Sequence, residues 1–470
     1  MGKETGFLEI QREESHYRPV KERLADYRDV NLYADEKTIS RQGSRCMDCG
    51  IPFCHAIGCP LFNLIPEWND YVYKNKWKEA YERLTLTNFL PEITGRICPA
   101  PCEASCTLSI NDSPVTIRQI ECAVIERAFS EGLVKPRLPR RESGKKIAVI
   151  GSGPAGLTAA DRLRSFGHSV TIFEKSSKPG GLLRYGIPDF KLEKHIIDRR
   201  IEIMKSEGIN FETGINAGKD ISLRYLQEKF SAVLIAAGSG VPRDIDIPGR
   251  TLNGVHFAME FLTGSNLAVS GESAANLVNA AGKTVIVIGG GDTGSDCVGT
   301  ANRQGAKKVY QFEILPRPPE HNETWNPVWP EWPKILRTSS SHEEGVQRDW
   351  SIITRSFHGN GDLQKVLFSR AEWEKNEKGS WNMKELKGTE HYIQADLALI
   401  AAGFVHTEHS GLVNDAGLDL DKQGNILVKN YASSVRGIFA AGDAATGASL
   451  AVRAVYHGRE AAEEINRYLK

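Results

Sequence analysis

The sequence predicts an α/β protein in which a helical, cysteine-rich N-terminal domain is followed by two doubly wound units. Residues 145–175 and 283–315 each contain a buried strand, a glycine-rich turn, a helix and a second strand, and so form an internal repeat. Seven of the nine cysteines lie between Cys46 and Cys106, ahead of this repeat. We therefore expect Rossmann-like sheets in the later part of the chain and a separate helical domain over residues 1–142.

Composition and charge exclude several classes of protein. The chain has 470 residues, with 59 Lys+Arg and 59 Asp+Glu, so its formal net charge is zero. This balance gives no electrostatic reason to expect a nucleic-acid or anionic-membrane partner. No apolar stretch approaches the roughly 20 residues that cross a bilayer, and the first residues, MGKETGFLEI, lack the apolar core of a signal peptide. We expect a cytoplasmic protein.

The N-terminal domain is predicted to be helical on either side of its cysteine loops. Residues 1–45 are highly charged but balanced, which is typical of a solvated helix and linker or of an arm that packs on a partner. Apolar side chains recur at helical spacing over residues 77–84, and a second helix is expected over residues 120–129. Residues 130–144, with two prolines and several basic side chains, are predicted to be a linker.

The clustered cysteines predict iron–sulfur ligands. Their spacings are C-x2-C-x4-C-x4-C-P and then C-P-x2-C-x3-C, which favour thiolates gathered around a pocket. A disulfide framework suits a short secreted chain better than this one. Zinc is the main alternative, because Cys-x2-Cys also ligates zinc, but these cysteines exceed what one zinc ion needs. Two 4Fe–4S clusters take about eight ligands, so the seven cysteines are one short.

The first glycine-rich turn predicts a dinucleotide site. Gly151 permits a tight turn, Gly153 lets the backbone approach a pyrophosphate, and Gly156 allows the helix to pack on the strand. The pyrophosphate would lie at the helix N-terminus, at Pro154 and Ala155. Glu174 ends the next strand, where a carboxylate accepts a hydrogen bond from a ribose hydroxyl.

The second turn predicts a nicotinamide coenzyme, either NADH or NADPH. Its candidate residues lie in GGGDTG and are Gly289, Gly291, Asp292, Thr293 and Gly294. Glu313 occupies the position of Glu174 and favours NADH, because a carboxylate there repels a 2′-phosphate. Four basic residues lie near Glu313 in the sequence, and they either reach such a phosphate or form a solvated face. They are Arg303, Lys307, Lys308 and Arg317.

The C-terminal segment GIFAAGDAATGASLAVRAVYHGREAAEEI resembles the C-terminal signature of two-dinucleotide flavoprotein reductases, and PGGLLRYGIP resembles the loop beside their flavin. The resemblance implies that the first unit binds FAD and that the C-terminus completes it, over residues 143–280 and 405–470. The NAD(P)H unit, 281–404, is then inserted in the FAD unit. It also implies further FAD contacts at Gly181, Leu182, Gly442, Asp443 and Val452.

From about residue 40 onwards the chain resembles the small (beta) subunits of glutamate synthase, and its first parts are similar to the N-terminal half of dihydropyrimidine dehydrogenase. The motifs are CMDCGIPFC, GCPLFNLIPEWN, TGRICPAPCEASC, SPVTIRQIEC, both glycine turns and AGDAATG. The resemblance implies one cluster on Cys46, Cys49, Cys54 and Cys106. It implies another on Cys59, Cys98 and Cys102, completed by Glu121, with the adjacent Cys122 as the alternative.

By this resemblance the chain is an electron-input subunit. It would oxidise NAD(P)H at FAD and pass electrons through two 4Fe–4S clusters to a large (alpha) subunit that makes L-glutamate from L-glutamine and 2-oxoglutarate. Flavin suits this place because it exchanges electrons both in pairs and singly. We expect no catalytic side chain, because hydride transfer needs positioning rather than an acid or a base.

The alternative is an NAD(P)H:acceptor oxidoreductase subunit with another partner, such as a ferredoxin–NADP transhydrogenase or a pyrimidine reductase. Residues 315–381 hold six of the eight tryptophans and are expected to be an insertion whose rings cover a surface or a partner. The Trp- and Pro-rich part, 315–345, resembles glutamate synthase small subunits and so favours the first function.

Overall fold

The computed structural model describes residues 2–273, 277–320, 327–375 and 381–470. Its N-terminal helices are α1 (Gly6–Glu9), α2 (Val20–Arg23), α3 (Glu36–Gly43), α4 (Ile65–Tyr73), α5 (Trp77–Leu84), α6 (Pro91–Ile97), α7 (Pro101–Ala104) and α8 (Ile117–Ser130). Short strands β1 (His16–Tyr17) and β2 (Asn31–Leu32) pair antiparallel. Helices α5 and α8 confirm the two helices predicted here. A π-helical turn, Cys54–Gly58, and a 3₁₀ turn, Thr107–Ile110, lie beside the cysteines.

The prediction that residues 1–45 are solvated is wrong for two of their arginines. The Arg45 side chain is fully buried and donates to the backbone carbonyls of Ile10, Ser113 and Pro114 at 2.8–2.9 Å. Arg23 is also buried and reaches the carboxylates of α15, described below. These guanidinium groups satisfy buried acceptors, which a count of charges along the sequence does not reveal.

The first doubly wound unit begins directly after the linker. Its elements are β3 (Lys146–Ile150), α9 (Pro154–Ser165), β4 (Ser169–Glu174), α10 (Leu182–Tyr185), α11 (Lys194–Ser206), β5 (Asn210–Thr213), α12 (Leu223–Lys229), β6 (Ala232–Ile235) and β7 (Val241–Pro242). Strand β3 is apolar and almost entirely buried because helices cover both faces of a parallel sheet.

The second unit follows from β8. Its elements are β8 (Val255–Phe257), α13 (Ala258–Val269), β9 (Thr284–Ile288), α14 (Asp292–Arg303), β10 (Lys308–Glu313), α15 (Ser340–Glu343), β11 (Gln347–Trp350), β12 (Ile352–Asn360), β13 (Asp362–Lys375), β14 (Trp381–Gln394), β15 (Leu397–Ile400) and β16 (Phe404–His406). Five of these strands form a parallel sheet in the order β11-β10-β9-β15-β8.

The chain then returns to the first unit through α16 (Leu412–Ala416), β17 (Ile438–Ala440), α17 (Asp443–Thr446) and α18 (Ala451–Leu469). Strand β17 pairs with β6, so the first sheet runs β17-β6-β3-β4-β5, all parallel. Strands β7 and β16 pair where the chain leaves and re-enters this unit. The predicted nesting of one doubly wound unit within the other is confirmed, whereas the three boundaries between the four predicted ranges stay predictions.

Much of the tryptophan-rich insertion is regular. Strand β11 extends the second sheet, and β12, β13 and β14 form a separate antiparallel sheet. Trp350, Trp373 and Trp381 lie on these strands, while Trp329 and Trp332 lie in the irregular part before α15. Trp325, which belongs to the same predicted insertion, lies outside the described residues.

Candidate dinucleotide and iron–sulfur sites

The three glycines of the first turn have different surroundings. A Cβ on Gly151, whose φ is +99°, would lie 2.4 Å from the carbonyl oxygen of Ala236. A Cβ on Gly156 would lie 2.0 Å from the carbonyl oxygen of Gly151. Gly153 has φ of −69°, and a Cβ there would meet no atom within 4 Å. The fold therefore requires the first and third glycines, while the second leaves space for a ligand, as a pyrophosphate site needs.

The second turn repeats these contacts. A Cβ on Gly289, at φ +128°, would lie 2.3 Å from the carbonyl oxygen of Ala401, and one on Gly294 would lie 2.3 Å from that of Gly289. Gly291 again faces open space. Ala236 and Ala401 occupy the same place in two copies of LIAAG, at 234–238 and 399–403. The internal repeat thus includes the strand that crosses behind each turn.

The two strand-end carboxylates are held alike. Glu174 accepts hydrogen bonds from the backbone N–H of Ser152 at 3.1 Å and of Ser176 at 2.8 Å. Glu313 accepts from the N–H of Gly290 at 2.7 Å and of Leu315 at 3.0 Å. Each carboxylate is therefore fixed against its glycine turn, at the predicted end of the strand.

The C-terminal signature lies against the first turn. A Cβ on Gly442 would lie 2.9 Å from that of Ala155, and one on Gly181 would lie 2.9 Å from the Cα of Gly153. Asp443 accepts a hydrogen bond from the Ser449 hydroxyl at 3.2 Å, and burial raises its pKa to about 6. The donors that shape this pKa are all from Ser449, so the carboxylate is suited to a neutral partner such as a ligand hydroxyl.

Both turns open on one cavity of about 1250 Å³. The first unit contributes Pro154, Leu182, Asp443 and Val452 to its lining. The second unit contributes Gly291, Asp292, Thr293, Glu313 and Arg317. Cys98 and Arg118 of the N-terminal domain line the same cavity. The structure therefore brings both candidate dinucleotide sites and one cysteine loop to a common space.

Four cysteine thiols share a first pocket, defined by Cys46, Cys49, Cys54 and Cys106. Burial raises the pKa of Cys46 to about 11, and the neighbouring thiols of Cys106 and Cys49 add to the rise. Burial also raises the pKa of Cys54, with further contributions from Cys106, Cys46 and Cys49. The thiols that affect one another's pKa are those that the resemblance assigns to one cluster, and the ligand set stays a prediction.

A second pocket is defined by Cys59, Cys98, Cys102 and Glu121. Burial raises the pKa of Cys59 to about 11 and that of Cys98 to about 12, and the Glu121 carboxylate raises both further. Burial raises the pKa of Cys102, to which Cys59 and Cys98 also contribute. The two pockets share a wall, since a Cβ on Gly58 would lie 2.6 Å from the Cα of Cys102.

Backbone N–H groups favour the thiolate form in both pockets. Those of Leu61, Phe62 and Asn63 lower the pKa of Cys59, and that of Ala100 donates to the sulfur of Cys98 at 3.4 Å. Hydrogen bonds to sulfur are one of the factors that set cluster potentials. Among the described residues, no group of three or more His, Cys, Asp or Glu is arranged to hold a single metal ion.

The acidic candidate ligand and its neighbour face different surroundings. Glu121 Oε1 accepts from the Thr94 hydroxyl and from the Asn88 amide at 3.1 Å, and burial raises the pKa of Glu121 to about 7. Burial raises the pKa of Cys122 to about 12, and the groups that next affect it are Arg96 and Glu126 rather than the cysteines. Glu121, unlike Cys122, is among the groups that raise the pKa of Cys59, Cys98 and Cys102, which favours Glu121 as the eighth ligand.

The bases near Glu313 differ from expectation. The Arg303 side chain is buried and donates to Glu344 at 3.0 Å, so it is neither on a solvated face nor free to bind phosphate. Lys307 and Lys308 are exposed. Sequence reasoning missed Arg348 on β11, whose guanidinium carbon lies 4.9 Å from the Trp350 ring centroid. That of Arg317 lies 5.5 Å from the same ring.

These two arginines form a positive pocket beside Glu313. Residue Trp350 pairs with Glu313 across β10 and β11, and both Arg317 and Arg348 line the cavity. Burial lowers the pKa of Arg348, and the charge of Arg317 lowers it further. In the sequence, this pocket was indicated only by Arg348 and Trp350, which lie two residues apart on a strand that follows Glu313.

Comparison with known families places this geometry in a class. A family model described as pyridine nucleotide-disulphide oxidoreductase matches residues 145–458, and one described as dihydropyrimidine dehydrogenase domain II, 4Fe-4S cluster, matches residues 23–133. A solved structure of Mycobacterium tuberculosis FprA in complex with NADPH has the same fold over 70% of this chain and 85% of that one, with a TM-score of 0.56 and 17% identity. The chain is an NAD(P)H-dependent flavoprotein oxidoreductase with FAD and 4Fe–4S cofactors.

Within that class the chain belongs to the family of glutamate synthase small chains. It is 48% identical to the glutamate synthase [NADPH] small chain of M. tuberculosis, over 96% of this chain and 93% of that one. It is 46% identical to that of Bacillus subtilis, over 100% and 99%. It is also 46% identical to glutamate synthase [NADH] of Schizosaccharomyces pombe, of which it covers 22%. The described helices include none long and apolar enough to cross a membrane.

The glycines that face open space provide a test of which turn binds which dinucleotide. We expect Gly291→Ala to raise the KM for the coenzyme roughly tenfold, because losing one hydrogen bond to a charged group costs about 1.5 kcal/mol. Flavin content and thermal stability should not change, since the φ of Gly291 is −80° and the new methyl meets no protein atom. Gly153→Ala is the matched variant and should lower flavin content instead. Loss of flavin from Gly291→Ala would reverse the assignment.

Iron analysis tests the eighth ligand. Protein purified without air should contain about eight iron atoms per chain, and Glu121→Ala should reduce this to about four because one 4Fe–4S cluster loses a ligand. Cys122→Ala is the control and should keep the full iron content and the visible absorption of both clusters. If the effects of the two substitutions are exchanged, Cys122 is the ligand.

Proposed function

We propose that this chain is the electron-input subunit of a glutamate synthase, which oxidises NADPH at FAD and passes electrons through two 4Fe–4S clusters to a large subunit. That subunit makes L-glutamate from L-glutamine and 2-oxoglutarate. The observation that carries the proposal is the single cavity on which both glycine turns and Cys98 open. The names of the relatives support the choice of partner, and a cytoplasmic location accompanies it as a prediction.

The first turn and the C-terminal signature are assigned to FAD. Gly153 leaves room for the pyrophosphate, and Glu174, fixed by two N–H donors, is placed to accept from ribose. Asp443 and the start of α18 at Val452 would meet the ribityl chain and the ring. When bound, FAD accepts two electrons together and releases them singly.

The second turn is assigned to the coenzyme, for which the chain supplies position rather than acid–base chemistry. Gly291 leaves room for the pyrophosphate at the N-terminus of α14, where unpaired N–H groups and the helix dipole favour negative charge. Because this turn and the first face one cavity, a coenzyme bound here would direct its nicotinamide towards the flavin site. Water is displaced from the shared space when both ligands bind.

The order of the clusters follows from the position of the two pockets. Cys98 of the second pocket lines the cavity, whereas no cysteine of the first pocket is among its lining residues. Cys49 of the first pocket is half-buried, and Ile51 and Ile57 beside it are exposed. We therefore assign the second pocket to receive electrons from the flavin site and the first pocket to deliver them to the partner.

We assign the coenzyme as NADPH, contrary to the preference first drawn from Glu313. The Glu313 carboxylate is fixed by the N–H groups of Gly290 and Leu315, as Glu174 is fixed in the FAD unit, so its presence alone does not distinguish the two coenzymes. The guanidinium carbons of Arg317 and Arg348 lie 5.5 and 4.9 Å from the Trp350 ring centroid, and the two charges repel each other. A 2′-phosphate would relieve that repulsion and accept charge-assisted hydrogen bonds from both guanidinium groups.

The coenzyme assignment predicts a selective loss. We expect Arg348→Gln to lower kcat/KM for NADPH about tenfold to a hundredfold, because a hydrogen bond to a charged group contributes about 1.5–3 kcal/mol. The value for NADH should hardly change, since NADH lacks the phosphate. The control is Arg355→Gln. Arg355 lies on β12, is half-exposed and pairs with Glu385. Equal losses with both coenzymes would contradict a phosphate contact.

The division of labour predicts two separable activities. The isolated chain should reduce ferricyanide with NADPH but form no glutamate from glutamine and 2-oxoglutarate. Cys98→Ala should spare much of the dye reduction and abolish glutamate formation in the complex with the large subunit, because it breaks the electron path after the flavin site. Cys122→Ala should retain both activities. Glutamate formed by the chain alone would refute the subunit role.

A further inference from the structure

One tryptophan of the second unit lies on the first cysteine pocket. The indole Nε1 of Trp329 donates to the backbone carbonyl of Cys106 at 3.3 Å, and its ring centroid lies 4.6 Å from that of Phe53. The hydroxyl of Ser105 donates to the carbonyl of Pro330 at 2.6 Å. Phe53 precedes Cys54 and Ser105 precedes Cys106, so Trp329 contacts both loops that supply the pocket.

The same segment, residues 327–337, also forms a wall of the cavity. Trp332, Ile335 and Arg337 line the cavity together with Asp292. The Arg337 guanidinium carbon lies 4.4 Å from the Trp332 ring centroid, and the N–H of Leu336 donates to the carbonyl of Pro319 at 2.7 Å. The segment is therefore anchored to the coenzyme unit at one end and to the cysteine loops at the other.

The residues around the first cysteine pocket differ in their exposure to solvent. Cys46, Cys54 and Cys106 are buried, whereas Cys49 is half-buried. Ile51 and Val328 are each 71% exposed on the two flanks. Trp329 thus packs on both cysteine loops at a place where neighbouring side chains are open to solvent.

We propose that Trp329 is a positioning residue that caps the first iron–sulfur site and sets how much water reaches it. The proposal rests on the assignment of the first pocket made above. Solvent exposure and hydrogen bonding around a cluster are among the factors that set its reduction potential. The reduced form of a cluster held by four thiolates carries more negative charge than the oxidised form, so water stabilises the reduced form more. Opening the cap should therefore raise the potential and make the iron more accessible.

The test uses the complete anaerobic holoprotein. Iron release to a ferrous chelator is timed, and both cluster potentials are measured by EPR-monitored titration. In Trp329→Ala, the half of the iron that belongs to the first cluster should be released severalfold faster than in the wild type. Only one of the two cluster reduction potentials should rise. Trp329→Phe keeps the ring on Phe53 but loses the hydrogen bond to Cys106, and should restore most of the shielding. Val328→Ala, an exposed neighbour, is the matched control and should behave as wild type.

A double variant identifies the cluster that responds. Glu121→Ala/Trp329→Ala should show the same shift in its remaining cluster, because the second cluster is the one lost with Glu121. Unchanged release and potentials in Trp329→Ala overturn the cap, as does a shift that disappears in the double variant. If Trp329→Ala loses flavin or melts early, the same measurements are made on Trp329→Phe. Because this variant keeps an aromatic ring, a rate of iron release above that of Trp329→Ala would refute the cap. A wild-type protein with only one cluster signal overturns the ligand assignment instead.

Discussion

Both dinucleotide units depend on one close contact, in which the third glycine of each turn rests on the carbonyl oxygen of the first. A Cβ on Gly156 or Gly294 would lie 2.0 or 2.3 Å from that oxygen, well inside van der Waals distance. This contact seats the helix on the strand and turns its free N–H groups towards the space at Gly153 or Gly291. The common cavity follows, because the paired strands β7 and β16 join two units built in the same way.

Electrostatics divide the molecule into regions of different function. Five of the seven candidate cysteine ligands are buried where charge is costly, and neighbouring N–H donors offset part of that cost. The coenzyme cavity instead gathers Arg317 and Arg348 next to a carboxylate that the backbone already satisfies, and of the two Arg317 also pairs with Glu320 at 2.8 Å. The buried Arg23, Arg303 and Glu344 tie the N-terminal segment to α14 and α15, so the cluster domain and the coenzyme unit are held as neighbours.

Local patterns sufficed to predict the two doubly wound units, their glycine turns and the carboxylates at their strand ends, because each depends on short-range chemistry. The division of the cysteines between two clusters and the contacts of the C-terminal signature came instead from the resemblance to a family, and they stay predictions. What depended on distant parts of the chain was not predictable. Arg303 finds Glu344, Arg45 finds loop carbonyls, and Trp329 reaches Cys106 only through the tertiary fold. Arg348 escaped notice because β11 joins the sheet after a long insertion.

The late position of the edge strand β17 in the sequence determines the order in which the two parallel sheets can be completed during synthesis. Strand β6 ends at Ile235, but its neighbour in the sheet begins only at Ile438, after the entire coenzyme unit has been made. Domains generally fold as they leave the ribosome, the N-terminal parts first. The cysteine loops and the coenzyme unit therefore emerge before the last strand and α18 close the flavin sheet. A complete flavin sheet therefore requires β17, and a nascent chain stalled before that strand would hold a coenzyme turn without a finished flavin site.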